Sequence, residues 1–591
     1  MRTGGAASKV GRDMRSRVLV PLALLALVLV TAATRLTGID FLEPQWTEQD
    51  SQLVQHLRHE RTGNADEESG YDDAYPYVLP YLLRAMPQLV HVETEPAALE
   101  QHIAVCKSLF TETRMFVALL SCLAIPLAYL LARRFVSPRW ALFASALCAA
   151  SLLTHYFSQQ ARPHAAAAPF MLLAVVAALR LRERPTLANY ALAGIAAALG
   201  IGVLHNGAAV VLAGLAAHCF RDGERRARDH WKLLVPVALV LLGVRLFYPF
   251  FFADSGGTEA AKLESSEAGV TFGRHVVDYE QFTFGGARTM LRTLANYEPG
   301  LLALLLLASL AWLGRKRLAD EPAPLSRAAL VVLAYIVPYG LVLASFNDTF
   351  DRFLISLVPY VAVFAAWGLE RATSSRVLPR ALRYGAGALG CAALCLQVAA
   401  CAKLAWLRAR DDAMEQASAH VTASFDPATT TLFVAPTLDL LVARTEESLF
   451  NKRGQRRIAY SRWAKYQAHR RENPPPPPYW DVRYFGASTE LGFRTADSIA
   501  ERPDEFLDAL GPGIYVMNAG KLTGHPSERA FYDAVARRGA LLWRRAPHAD
   551  GPWRSVGLDF QPMDAAPDVI WRVLAAEVVG PAVEIYRVPA P

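Results

Sequence analysis

The segment PQWTEQDSQLVQHL, Pro44 to Leu57, brings Glu48, Gln49 and Asp50 together just after a long apolar run. A positioned carboxylate can take the proton of an attacking hydroxyl, a general-base contribution of about 10²- to 10⁴-fold. Glu48 and Asp50 are the two candidates for that work. Leu53, Val54 and Leu57 follow Asp50 at i+3, i+4 and i+7, the stripe of an amphipathic helix lying against a membrane. Asp50 therefore stands at the start of a helix, which favours a carboxylate on structural grounds alone and supplies the competing reading.

Groups suited to an anion occur farther along. In SQQARPHAAAAPF, Pro163 fits the first turn of a helix and Arg162 its cap, with His164 beside them. A helix N-terminus with a guanidinium next to it is a ready phosphate site; an interfacial anchor is the simpler reading. His155 lies just upstream. Arg245, in LLGVRLFYPFFF, falls inside an apolar run, where a buried guanidinium costs at least about 2.5 kcal/mol unless it pairs or reaches the interface. Asp348, Asp351 and Arg352 precede another apolar run. The acidic stretch GNADEESGYDDAYPYVLPYLL offers Asp66, Glu67, Glu68, Asp72 and Asp73, then Tyr75, Tyr77 and Tyr81. Such oxygens suit a divalent cation, Mg²⁺ or Mn²⁺, but their spacing matches no metal loop, so no metal ligands are assigned and most are read as solvated.

The elements that must hold these groups are membrane helices. Of 591 residues 53% are hydrophobic and only 19% charged, where soluble chains average about 25% charged. Apolar runs, most of them long enough to cross about 30 Å of hydrocarbon, recur at 18–34, 107–131, 139–155, 163–181, 187–205, 207–220, 232–252, 299–314, 328–346, 353–369 and 383–404, the pair meeting at His205-Asn206-Gly207 being short. Alternate loops are basic: the N-terminus with Lys9, Arg12, Arg15 and Arg17, then ARRFVSPR, RLRERP, RDGERRARDHWK, RKRLADEPAPLSR and ERATSSRVLPRALR. The positive-inside rule puts these on the cytoplasmic side, and it accounts for the net charge of +7 without nucleic acid. Loop 35–106, loop 253–298 and the tail 405–591 then face outward. A cleavable signal peptide ending near TAATR is set aside, because cleavage would untether the first outer loop. All seven cysteines precede Lys403 in a spacing that frames neither disulfides nor zinc. Past Lys403, TTTLFVAP, GIYVMNAG, GALLWRR and VEIYRVP read as strands, with helices over PDEFLDAL and SERAFYDAVARRG, a small α/β domain. NPPPPPYW reads as a polyproline spacer.

Four stretches together resemble the GT-C superfamily of integral-membrane glycosyltransferases, in the branch of protein O-mannosyltransferases and lipid A aminoarabinose transferases. They are TEQDSQLVQHLR, YPYVLPYLL, HYFSQQARPHAAAAPFMLLAVVAALRL and FDRFLISLVPYVAVFAAWGLER. The resemblance covers roughly residues 15–405, and only the ending GPAVEIYRVP extends it into the tail. It implies an α-helical polytopic protein of about eleven spans with an extracytoplasmic α/β domain, in a bacterial plasma membrane. It also implies transfer of a sugar from a polyprenyl-phosphate carrier to a lipid, glycan or protein acceptor on the outer face. The family pairs Asp with Glu directly, whereas Glu48-Gln49-Asp50 separates them, which leaves open which acid matches.

On this reading residues 1–17 are cytoplasmic, 18–404 form the transferase domain and 405–591 the outer domain. Asp50 and Glu48 are the catalytic candidates; Arg162, His164, His155, Arg245, Asp72, Asp73, Tyr75 and Arg352 are the substrate-binding ones. A transporter or flippase of a lipid-linked or anionic substrate is the alternative, and would show internal repeats and broken helices near the midplane. A non-catalytic scaffold presenting the tail would be indifferent to Asp50.

Overall fold

The computed structural model describes residues 5–42, 53–54, 76–85, 99–222, 227–248, 269–272, 275–314, 326–347, 349–436, 438, 440–445, 448, 478–486, 491–493, 495–519, 526–550, 558 and 568–590. The membrane part is a helical bundle. In chain order it comprises α1 (Gly5–Leu36), α2 (Val78–Arg84), α3 (Leu99–Cys122), α4 (Ala124–Ala132), α5 (Pro138–Ala149), α6 (Leu152–Ser158), α7 (Pro163–Glu183) and α8 (Leu187–Val203). After α9 (Val210–Cys219) and α10 (Leu234–Phe247) comes a hairpin of β1 (Gly269–Phe272) and β2 (His275–Asp278), then α11 (Gly285–Tyr297), α12 (Pro299–Leu313), α13 (Arg327–Ser345), α14 (Val358–Ser374) and α15 (Arg380–Arg408). Among the described residues, seven helical segments are long and apolar enough to cross a bilayer.

Each of the eleven expected spans falls on helix over its described residues, but several are not simple rods. The run 139–155 is α5 and α6, bent by 47°, and 299–314 is α12, turned 117° from α11. The runs 187–205 and 207–220 are α8, of 17 residues, and α9, of ten. Periodicity cannot locate such breaks, because an apolar run stays apolar through a bend.

The helices approach closely where side chains are small, as they must when lipid competes equally well for apolar surface. A Cβ at Gly368 of α14 would lie 2.3 Å from Ala308 Cα of α12, and one at Gly300 would lie 2.8 Å from Ala393 Cβ of α15. The centre of the bundle is α7, buried along most of its length, whereas α1 and α10 present most of their surface outward.

The tail opens with α16 (Ala413–Ser424), whose N-terminus Asp412 and Glu415 close as a reciprocal capping box. Next come β3 (Thr431–Val434), β4 (Asp481–Tyr484), α17 (Ala496–Glu501), α18 (Pro503–Leu510) and β5 (Gly513–Asn518). They are followed by α19 (Pro526–Arg538), β6 (Ala540–Arg545), α20 (Val569–Ala575) and β7 (Val583–Val588). The sheet order is β4-β3-β5-β7-β6, with β4, β3 and β5 parallel and β7 antiparallel to both neighbours. All four expected strands and both expected helices are present. DVRY, now β4, lacked a strand-like run of its own; its place is set by pairing with β3. Most of the proline run lies outside the described residues. The domain docks on the bundle: the Asp568 backbone amide donates to Asn296 of α11 at 3.3 Å, and α20 packs against α15.

Two predictions follow from packing and burial. Gly368→Ala should lower the thermal midpoint of the detergent-solubilised chain, an overpacking cost of about 1–3 kcal/mol, while Gly214→Ala, whose Cβ would meet nothing within 4 Å, should not. In the tail, burial aided by the Arg572 guanidinium pulls His548 from 6.5 down to about 4. An unfolded histidine takes up a proton below about 6.5 and the folded one resists until about 4. Its contribution is therefore constant above 6.5 and falls as pH drops from 6.5 towards 4. Denaturation of the wild type across that window should lose stability more steeply than His548→Asn.

Candidate active site

Every element the site needs meets at one end of the bundle, the end where α7 begins. Gln159, Gln160, Ala161 and Arg162 form the link between α6 and α7, and all four are buried. Pro163 at the first turn and extended backbone at Arg162 start α7 as the sequence predicts. Arg162 and His164 are brought together there. Two further elements complete the group. The 3₁₀ turn Asp351–Leu357 packs on α7, so that the Phe353 ring lies 5.4 Å from that of His164 and 5.4 Å from the Arg352 guanidinium, which also sits 4.3 Å over Phe350. His205, at the turn between α8 and α9, is the fourth basic group; Arg352, Arg162 and His205 all act electrostatically on His164. Arg162, His164 and Arg352 are all buried. Beside Arg352, Asp351 accepts a 2.6 Å hydrogen bond from Thr293 of α11.

His155 belongs to a neighbouring nest instead. It is buried on α6 within the electrostatic reach of Arg35 and Arg408. Arg35, in the last turn of α1, donates to Ser121 at 2.6 Å; Arg408, in the last turn of α15, donates to Gln159 Oε1 at 2.5 Å and lies 3.7 Å over the Phe41 ring. Gln159 Nε2 in turn donates to the carbonyls of Arg35 and Thr37, and Arg114 to those of Ile39 and Phe41. These bonds fix the turn 37–42 through which the chain leaves α1. Gly38 is needed in that turn: its φ is +64°, and a Cβ would lie 2.2 Å from the backbone of Arg408. His155 Nε2 and both amide atoms of Gln160 are buried without a hydrogen-bond partner among the described residues, where a polar ligand atom or water is expected.

Arg245 stands apart. It is exposed in the last turn of α10, a helix that buries little of its surface. That exposure fits the alternative in which a long side chain near a helix end reaches the interface by its own length. Glu48, Asp50, Asp72, Asp73, Tyr75 and Asp348 lie outside the described residues. Leu53 and Val54, from the stripe that follows Asp50, are buried in the core. Among the described residues no group of three or more His, Cys, Asp or Glu side chains could hold a metal ion.

Sequence reasoning passed over Arg35, Arg408 and Glu298. A signal existed for the first two: each closes a span at the end opposite the basic loops, where the charge bias does not call for arginine. Glu298 sits at the turn between α11 and α12, fully buried, accepting from Ser151 at 2.6 Å and the Leu153 amide at 3.0 Å. It thereby caps the N-terminus of α6 from another part of the chain.

Residues 98–249 match the family model described as dolichyl-phosphate-mannose-protein mannosyltransferase. No curated protein matches the chain. Among solved structures, ArnT from Cupriavidus metallidurans bound to undecaprenyl phosphate is 12% identical, with a TM-score of 0.39 over 95% of this chain and 97% of that one. The Archaeoglobus fulgidus oligosaccharyltransferase in its apo form is 13% identical, with a TM-score of 0.37 over 89% and 73%. The matched family region spans α3 to α10 and contains Arg162, His164 and His205, so that over these residues the chain is similar to the dolichyl-phosphate-mannose-protein mannosyltransferases.

Proposed function

We propose that the protein transfers a sugar from a polyprenyl-phosphate carrier to an acceptor hydroxyl on the extracytoplasmic face, with Asp50 as general base. The observation that carries this reading is the convergence of Arg162, His164 and Arg352, from two separate elements and all buried, at the N-terminus of the central helix α7. Buried cations at a helix N-terminus suit a phosphate ester. The family match, named for a lipid-phosphate-linked mannose donor, points to the same chemistry.

In the reaction the acceptor oxygen bonds to the anomeric carbon while the bond from that carbon to the carrier phosphate breaks. The acceptor proton goes to the Asp50 carboxylate, and the electron pair stays on the phosphate, which leaves as polyprenyl phosphate. The developing phosphate charge is opposed by Arg162, Arg352 and the dipole of α7 in a site from which bulk water is excluded, where fixed charges act most strongly. The isoprenoid tail stays in the bilayer, held by about 0.8 kcal/mol per buried CH₂. Leu53 and Val54, buried just after Asp50, tie the catalytic loop to the core. The alternating basic loops support placing this end of the bundle outside.

Asp50→Asn should cut turnover of a polyprenyl-phosphate sugar by about 10²- to 10⁴-fold with donor binding retained. Full activity in that variant, with loss in Glu48→Gln, would move the base to Glu48. Arg162→Gln and Arg352→Gln should each weaken donor binding by about 10- to 100-fold, the value of a charge-assisted hydrogen bond. Unchanged donor affinity in both would remove the phosphate from this end of α7.

A further inference from the structure

The opposite end of the bundle holds a second basic site. The helix α7 has 21 residues, so at 1.5 Å per residue its end at Glu183 lies about 30 Å from Arg162, a bilayer's thickness away. There Tyr190 of α8 shares a 2.5 Å hydrogen bond with Nδ1 of His218 in the last turn of α9. His218 Nε2 meets His230 Nδ1 at 2.9 Å and Arg221 Nη1 at 3.1 Å, and Arg221 Nη1 also donates to the His218 carbonyl at 2.7 Å.

The charges around this chain of contacts are unevenly matched. Glu183 pairs with Arg134 and, at 3.6 Å, with Arg182; Asp222 lies 3.5 Å from Arg182 and 3.8 Å from Arg327; Asp229 pairs with Lys232 at 2.9 Å. Arg221 is buried, touches no carboxylate among the described residues, and its Nη2 has no hydrogen-bond partner there. A buried guanidinium at the edge of hydrocarbon calls for an anion.

A groove of about 150 Å³ adjoins the cluster, lined by apolar residues that include Leu181, Ala193, Gly214, Leu215, Leu233 and Val237. Helical spacing connects the two: Leu181 and Leu233 are sequence neighbours of Arg182 and Lys232, Ala193 is one turn from Tyr190, and Gly214 and Leu215 are one turn from His218. Gly214 leaves real space, since a Cβ there would meet nothing within 4 Å. An anion-seeking polar cap over an apolar slot at the membrane edge has the amphipathic order of a lipid. We infer that the groove between α7, α8, α9 and α10 binds one anionic phospholipid of the surrounding bilayer, its phosphate on Arg221 and the exposed His230 and one acyl chain in the groove. This site is separate from the donor site and does not depend on it.

The full chain in nanodiscs of equal phosphatidylcholine and phosphatidylglycerol, released into native mass spectrometry, tests this. The wild type should retain phosphatidylglycerol in preference to phosphatidylcholine. Arg221→Gln and His230→Gln should each reduce that preference by about five-fold, the effect of one cation near a membrane surface. If Arg221→Gln fails to fold, Gly214→Leu carries the test: it fills the groove without a backbone clash and should remove one retained phosphatidylglycerol. Equal retention of both lipids by the wild type, or a lipid count unchanged in Gly214→Leu, overturns the site. Added undecaprenyl phosphate displacing phosphatidylglycerol at lower concentration than phosphatidylglycerol itself would reassign it to the carrier.

Discussion

A bilayer offers no hydrogen bonds, so wherever a membrane helix stops within the bundle its loose backbone groups must be satisfied by the protein. The joint at Glu298 shows how this chain meets that constraint. One apolar run breaks between α5 and α6, another begins at the sharp turn between α11 and α12, and the two joints meet. Glu298, from the second, accepts from the Ser151 hydroxyl and the Leu153 amide of the first. An uncapped amide buried there would cost about 1–3 kcal/mol, so each interrupted helix depends on the other. The 117° turn at Glu298 also lays α11 crosswise, where Thr293 reaches Asp351.

The site is built from such interruptions. Gln159 and Arg162 occupy the link between α6 and α7, His205 the turn after α8, and Arg352 the 3₁₀ turn before α14. An unbroken helix buries its own polar backbone and leaves only side chains to work with; each break adds free donors and acceptors, and the chain has placed its polar side chains there. The turn that follows α1 is anchored by the same means, since Gln159 and Arg114 hold the carbonyls of Arg35, Thr37, Ile39 and Phe41. The tail closes on this end too: Leu42, buried at the end of that turn, lies against Gly580.

Hydropathy made the eleven apolar runs legible, and strand-like runs revealed four of the five strands among the described residues of the tail, because both signals are local. Breaks inside apolar runs and the strand β4 were not legible; each is imposed by tertiary partners. Arg162 and His164 were readable from the Pro163 helix start, and Arg352 from its place before a span. Glu298 was not, since nothing within a few residues of it signals a role in capping a helix that begins at Leu152. Arg245 could not be placed from its neighbours, because its local sequence is as apolar as a buried segment while α10 sits on the outside of the bundle.

The cations at the two ends of the bundle meet different acceptors among the described residues. At the end of the basic loops, Arg134, Arg182, Arg327 and Lys232 have carboxylate partners, which cancel charge. At the α7 N-terminus, Arg35 donates to a serine hydroxyl, Arg114 to backbone carbonyls and Arg408 to a glutamine amide oxygen. Such acceptors satisfy guanidinium geometry without themselves adding negative charge, whereas a carboxylate in each of those places would oppose the positive field of this end. The bonds of Arg114 and Gln159 also hold the turn after α1, so the groups that fix this turn are the ones that surround the field in which a phosphate ester would be bound and released.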